Sequence, residues 1–269
     1  MSKVEAYEIL GVRVHALTEE IIGDKIGEAM AAGQRCIIGN HNSHSVYLYH
    51  RDAKMRSFYA RSQYIFIDSM PLLAVGNVLG FPLRRENRTR SLEWLRPAIR
   101  RAAAEGRRVF LLGSLLGVAE EAADILRAEC PGLQVDVHHG YFDATPGSEE
   151  FEAVIARIQA FRPHLLVVGM GMPRQECWIV DALDRIDANV ILPLGAAIDQ
   201  IAGRTAASPY WTGQIGLEWL YLLLREPKRS WRRYLVEPWF LLPILVRDVV
   251  RARLKPRDQL RAADRGASK

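Results

Sequence analysis

The sequence predicts an α/β protein: a Rossmann-like, mostly parallel sheet flanked by helices, followed by a C-terminal helical appendage. Three observations predict it. Short apolar runs of β type alternate with segments whose apolar residues recur at helical spacing. Many of those runs end on Gly, Asn or Asp, as strands feeding tight turns do. From about Pro209 the alternation stops, and the chain becomes dense in Trp, Tyr, Leu and Arg. We therefore divide it into a core over 1–208 and an appendage over 209–269.

In order, the expected strands are RCIIGN (35–40), YIFID (64–68), RVFLLG (108–113), VDVHHG (135–140), LLVVGMG (165–171) and NVILPLG (189–195). Between them SVYLYHRDAKMRSFYA, SLEWLRPAIRRAAAEG, GVAEEAADILRAE, SEEFEAVIARIQAF and PRQECWIVDALDRI carry helical periodicity. Strand–helix alternation implies a parallel sheet with helices on its faces. In such sheets ligands gather beyond the carboxyl ends of the strands, where Asn40, Asp68, Gly113, Gly140, Gly169 and Gly195 stand. In the appendage, Pro227, Pro238 and Pro243 are expected to cut the chain into short helices.

Composition narrows the classes. With 49% hydrophobic and 25% charged residues, 269 residues can bury an ordinary core. Three cysteines without paired spacing argue against a disulfide framework and fit a reducing compartment. The N-terminus lacks the apolar core of a signal peptide, and no run reaches the ~18 apolar residues of a spanning helix. A cytoplasmic location is expected. Charge is uneven: Arg225 to Arg257 holds ten Lys/Arg against Glu226, Glu237 and Asp248, a net +7 in a chain of net +5. Such a tail calls for a polyanionic partner.

Four stretches carry chemistry. In VVGMGMPRQECW (167–178), Gly169 and Gly171 open a turn and Pro173 suits the first position of a helix. The free amides of that turn, the helix dipole and Arg174 would form an anion pocket. A structural turn with a solvated Arg174 explains the same residues. In FIDSMPLL (66–73), Asp68 ends a strand before a Pro-started helix; it is either an N-cap or a general base facing the cleft. IIGNHNSHS (37–45) offers Asn40, Asn42 and Ser43 to sugar hydroxyls, or forms an ordinary Asn/Ser turn. His41 and His44 lack a third metal ligand at a familiar spacing. In HHGYFD (138–143), Tyr141 either stacks on a base or packs. No nucleophile–base arrangement is legible, and neither metal nor cofactor is expected.

GMGMPRQECWI, HGYFD, VFLLGSLLGVAEEAADIL, GAAIDQIAGRTAASP and GLEWLYLLLREPKRSWRRY together resemble the WecG/TagA/CpsF family of glycosyltransferases over roughly residues 8–235. The resemblance implies inverting transfer of a sugar from a nucleotide donor, here a UDP-sugar, to a polyprenyl-diphosphate-linked sugar at the cytoplasmic membrane face. It implies the family's catalytic aspartate at Asp68, although Ser69 follows where the family has glycine. Asn42 matches the family's strand-end Asn, Asn40 replaces a threonine, and Arg88, Gln175 and Glu176 match directly. AASP (206–209) lacks a family arginine, and Leu222 stands where many members have one. DSMP and NRTRSLEW look more like the exopolysaccharide, xanthan-type glucosyltransferase branch, which implies UDP-glucose.

The expected donor site is therefore Asn42, Gly113, Gly140, Tyr141, Gly169, Gly171, Pro173, Arg174, Gln175 and Glu176. The expected acceptor site is Asn40, Arg88, Arg225, Arg229, Arg232 and Arg233, with Asp68 as base. The tail's Trp219, Trp231, Trp239 and Tyr234, interleaved with arginines, suit an anionic membrane surface and a peripheral location. An exposed apolar tail can also pair protomers. Two other classes compete. A Rossmann oxidoreductase or methyltransferase would need a glycine-rich first turn and a strand-end acid, which IIGNHNSHS lacks. An RNA-binding tail would use the same Arg–aromatic interleaving, but its prolines and WFLLPILV favour lipid, and no nucleic-acid partner is expected.

Overall fold

The computed structural model describes residues 4–205, 209, 212, 216–225 and 227–254, without the side chain of Arg229. Two short strands, β1 (Ala6–Ile9) and β2 (Val12–His15), pair antiparallel through the Leu10–Gly11 turn. They precede the main sheet and were not read from the sequence. A six-stranded sheet follows, made of β3 (Cys36–His41), β4 (Tyr64–Ile67), β5 (Arg108–Gly113), β6 (Gln134–His138), β7 (Leu165–Gly169) and β8 (Val190–Pro193). Its order is β4-β3-β8-β7-β5-β6 and all its pairings are parallel, as expected for strands joined by helices. The hairpin covers one flank: His15 Nδ1 accepts a 3.1 Å hydrogen bond from the amide of Ile65 on edge strand β4. Covering an edge donor in this way removes a site for unwanted pairing.

The helices that cover the sheet are α1 (Glu19–Ala32), α2 (Ser43–Arg51), α3 (Ala53–Arg61), α4 (Met70–Val78), α5 (Ser91–Ala104), α6 (Val118–Glu129), α7 (Glu149–Phe161), α8 (Arg174–Ala182) and α9 (Ala197–Ile201). Strand residues alternate between two cores. Ile37, Phe110, Leu112, Leu166, Val168 and Ile191 face one side with Phe151 of α7 and Trp178 of α8. Ile38, Phe66, Val109, Leu111, Val167 and Leu192 face the other with Ile26 of α1 and Trp94 of α5. This two-sided burial explains why the strands read as continuous apolar runs.

The single helix expected over 45–60 is two helices. Asp52 ends α2 and caps α3, its carboxylate accepting from the amides of Lys54 at 2.7 Å and Met55 at 3.4 Å. A side chain that satisfies the first amides of a new helix outweighs continuous periodicity.

In the C-terminal part, α10 (Glu218–Arg225) and α11 (Pro227–Trp231) are followed by a π-helical turn over Arg232–Val236 and then α12 (Glu237–Leu254). Pro227 does start a helix. Pro238 and Pro243, by contrast, do not cut the chain. Pro238 lies in the first turn of α12, just after the π turn in which the Glu237 amide bonds back to the Arg232 carbonyl. Pro243 is carried inside α12, where packing of Phe240, Ile244, Leu245 and Val249 on the core holds the helix despite one missing donor. The helix is anchored to α2 by His44 Nδ1–Glu237 at 2.8 Å, by the Tyr47–Phe240 ring contact at 5.2 Å, and by the Arg51 guanidinium over both rings. Among the described residues no helix is long and apolar enough to cross a membrane.

Candidate functional site

The carboxyl ends of β4, β3, β8 and β7 open into a cleft of 250 Å³. Its wall includes Asn40 and Asn42 after β3, Asp68 after β4, Gly171, Met172 and Gln175 around the start of α8, and Leu194–Ala197 after β8. Arg90, Glu218 and Arg233 also line it. A second cavity of 520 Å³, lined mostly by apolar side chains, adjoins it between α4 and the C-terminal helices. Asn42, Asp68, Glu218 and Arg233 line both.

Asp68 is held at this junction by the sheet: its amide donates to the His41 carbonyl at 3.0 Å, extending the β3–β4 ladder by one bond. It is not the helix N-cap. Ser69 takes that position without using its hydroxyl, whose buried oxygen has no partner among the described residues. Burial raises the Asp68 pKa to about 6; the Glu218 carboxylate adds to the rise, and the guanidiniums of Arg88, Arg233 and Arg90 oppose it. A carboxylate in that range is ionised at neutral pH yet basic enough to receive a proton. Arg88, beside the isolated β-bridge from Ile67, is largely buried and paired with Glu218 of α10. That ion pair ties the C-terminal helices to the sheet end.

Asn42 is committed locally. It caps α2 in a reciprocal box: its Oδ1 accepts from the Ser45 amide at 3.1 Å and its own amide donates to Ser45 Oγ at 2.9 Å. The ordinary-turn reading of this stretch thus describes one half of its role, while the residue still lines the cleft. Asn40 Oδ1 is buried without a partner among the described residues, and its carbonyl accepts from the Tyr59 hydroxyl at 2.7 Å.

The 169–176 turn differs from expectation in two ways. Pro173 is the N-cap, and α8 starts one residue later at Arg174. The Gly171 amide is not free for an anion, because Gln175 Oε1 accepts from it at 3.2 Å. Gln175 Nε2 in turn donates to Glu176 Oε1 at 2.8 Å. Glu176 is fully buried, and burial raises its pKa to about 7. Arg174 lines neither cavity; its guanidinium donates to the Phe142 carbonyl and lies 5.7 Å from that ring, holding the loop after β6.

Gly113, Gly140 and Gly169 lie where β5, β6 and β7 end, and they meet one another. A Cβ on Gly113 would stand 2.4 Å from the Gly169 oxygen, and one on Gly140 would stand 2.9 Å from the Gly113 Cα. Close backbone packing therefore accounts for Gly113 and Gly140 before any ligand is considered, while a Cβ on Gly169 would press on the Ile198 side chain at 3.0 Å. Tyr141 beside them is 66% exposed, so its ring is accessible for stacking.

Among the described tail arginines only Arg233 lines the cavities. Its buried Nε has no partner among the described residues. Arg225 bonds the Tyr221 hydroxyl at 2.8 Å and is exposed, as is Arg232. The side chain of Arg229 and the chain at 206–208 lie outside the described residues. Sequence reasoning missed Arg90, Glu218 and Gln200 as cleft-forming, whereas Gly195 stood among the expected strand-end positions and does line the cleft. Glu218 was legible only as part of the EWLY motif. Among the described residues no group of three or more His, Cys, Asp or Glu side chains could hold a metal ion.

Comparison with known proteins adds a family. Over 172 residues the chain is 31% identical to the N-acetylglucosaminyldiphosphoundecaprenol N-acetyl-beta-D-mannosaminyltransferases of Staphylococcus aureus strains MW2 and MRSA252. The match covers 64% of this chain and 65% of each relative, so the chain spans about two-thirds of their length at most. The family model described as glycosyl transferase WecG/TagA/CpsF matches residues 7–257, nearly the whole chain. With that extent of match, and a strand-end cleft built around Asp68, the chain belongs to the WecG/TagA/CpsF glycosyl transferase family.

Proposed function

We propose that the protein is an inverting glycosyltransferase that moves a sugar from a UDP-sugar to a polyprenyl-diphosphate-linked sugar at the cytoplasmic face of the membrane. The observation that carries this reading is Asp68, raised to about pKa 6 and set among Arg88, Arg90 and Arg233 at the junction of a polar cleft and an apolar cavity. In a one-step inversion the acceptor hydroxyl attacks the anomeric carbon, its proton passes to the Asp68 carboxylate, and the donor's C–O bond breaks to release UDP. The departing diphosphate gains negative charge, which nearby guanidiniums stabilise. Gln175, fixed between the Gly171 amide and Glu176, presents a rigid polar wall to the sugars.

Two donors are favoured by different observations. The DSMP and NRTRSLEW stretches favour UDP-glucose and an exopolysaccharide product. The names of the Staphylococcus relatives favour UDP-N-acetylmannosamine. Location at the membrane is supported by α12, whose Trp239, Leu242, Val246, Val250 and Leu254 are exposed at three- and four-residue spacing, beside the basic residues of the tail.

The test is UDP release by the full-length protein offered each UDP-sugar with a prenyl-diphosphate-linked N-acetylglucosamine, followed by NMR of the product's anomeric linkage. Release with one donor and an inverted linkage is expected. No acceptor-dependent release with any UDP-sugar would overturn the reading.

A further inference from the structure

The 520 Å³ cavity lies outside the polar cleft and is of a size usual for ligand sites. Leu72 and Val75 of α4 form one wall; Trp219, Leu222, Leu241 and Leu245 of the C-terminal helices form the other. We propose that this groove binds the first isoprene units of the acceptor's prenyl chain and guides them from the membrane to Asp68. The inference rests on the acceptor class given above, and it adds a lipid subsite to it.

Continuity and charge identify the occupant. The groove and the polar cleft share Asp68 and Arg233, so a ligand crossing that junction has an apolar part on one side and a sugar on the other. At the junction, Arg233 Nε and Ser69 Oγ are buried without partners among the described residues, and both residues line the groove. Buried donors left open in this way suit an anionic linker between the two parts. At the other end, Leu242 lines the groove and is also half-exposed among the apolar residues of α12. Sugar, diphosphate and prenyl chain thus follow cleft, junction and groove in the same order as they follow one another in a lipid-linked sugar. A detached apolar metabolite would explain the groove but not its open polar end, and a peptide would need backbone partners that its apolar walls do not supply.

The test measures calorimetric binding of farnesyl diphosphate and methyl diphosphate to the full-length protein in detergent-free buffer. The groove should make farnesyl diphosphate bind at least tenfold more tightly. Val75→Trp, which fills the groove, should abolish that preference and leave methyl diphosphate binding unchanged. Leu222→Asn, which makes one wall polar, should move the preference in the same direction, and a thermal melt confirms that each variant is folded. Equal affinity of the wild type for the two ligands would overturn the proposal. So would undetectable farnesyl diphosphate binding, or variants that weaken both ligands alike. Chain-selective binding without sugar transfer to any acceptor would remove the glycosyltransferase reading and leave the groove standing.

Discussion

Asp68 and Glu176 are two carboxyl groups at one end of a sheet, raised for the same main reason and put to different uses. Asp68 faces the cleft, so its protonation should appear in the rate. Below about pH 6 the base is occupied, and kcat/KM should fall tenfold per pH unit. A profile flat from pH 7 to pH 5 would take Asp68 out of the proton transfer. Glu176 is enclosed, so its protonation should appear in stability. Its folded-state pKa, about 7, lies above the unfolded value of 4.5, so the folded state holds the proton more tightly. The resulting stabilisation is complete below pH 4.5 and is lost as pH rises through 7; the whole shift corresponds to about 3 kcal/mol. Glu176→Gln cannot ionise. Urea unfolding at pH 5 and pH 8 should show the wild type losing more stability than the variant across that interval. Equal losses would mean that the carboxyl is not a buried acid. Asp68 was legible as a strand-end acid, although its N-cap alternative could only be discarded once Ser69 was seen to hold that position.

Among the elements, the strands of the main sheet were legible and the joints were not. β5 and β7 are buried on both faces, and such strands announce themselves as apolar runs closed by glycine. The four-residue strands of the N-terminal hairpin interleave Glu8 and Arg13 with apolar residues, so they lack the continuous apolar run that marks the equally short β4 and β8. The α2–α3 break depends on the Asp52 carboxylate, which periodicity ignores. Arg174 shows the same limit: its place in the sequence suggested an anion contact, whereas its side chain reaches Phe142 and the loop after β6. Arg174→Ala should therefore act through that loop. We expect UDP affinity to fall by about 1 kcal/mol, the net scale of one hydrogen bond, with faster proteolysis within residues 140–147. Loss of UDP binding with unchanged proteolysis would instead indicate direct contact with the diphosphate.

At the scale of the molecule, the site needs both parts of the chain. Arg88 and Glu218 pair across 130 residues of sequence, and Arg233 arrives from a turn beyond α11. Sequence patterns register neighbours along a helix or strand, and this convergence has no such signature, which is why Glu218 and Arg90 were missed while Arg88 came only through family likeness. The basic segment also gives the molecule a polarity. Each Lys or Arg close to an anionic surface contributes about 1 kcal/mol, and salt screens that contribution. Sedimentation with phosphatidylglycerol vesicles should weaken steadily as salt rises, and Trp239→Ser should lower the fraction that persists at high salt. Salt-insensitive binding, or tighter retention on RNA than on vesicles, would contradict the lipid-facing account of the tail.

The central claim is that Asp68 accepts the proton of the attacking hydroxyl. The most direct measurement compares Asp68→Asn with wild type for both turnover and UDP affinity at pH 7.5. The account predicts a folded protein with unchanged UDP binding and a turnover lowered ~10²–10⁴-fold, the usual worth of a positioned general base. A variant that keeps more than half of the wild-type turnover would contradict it.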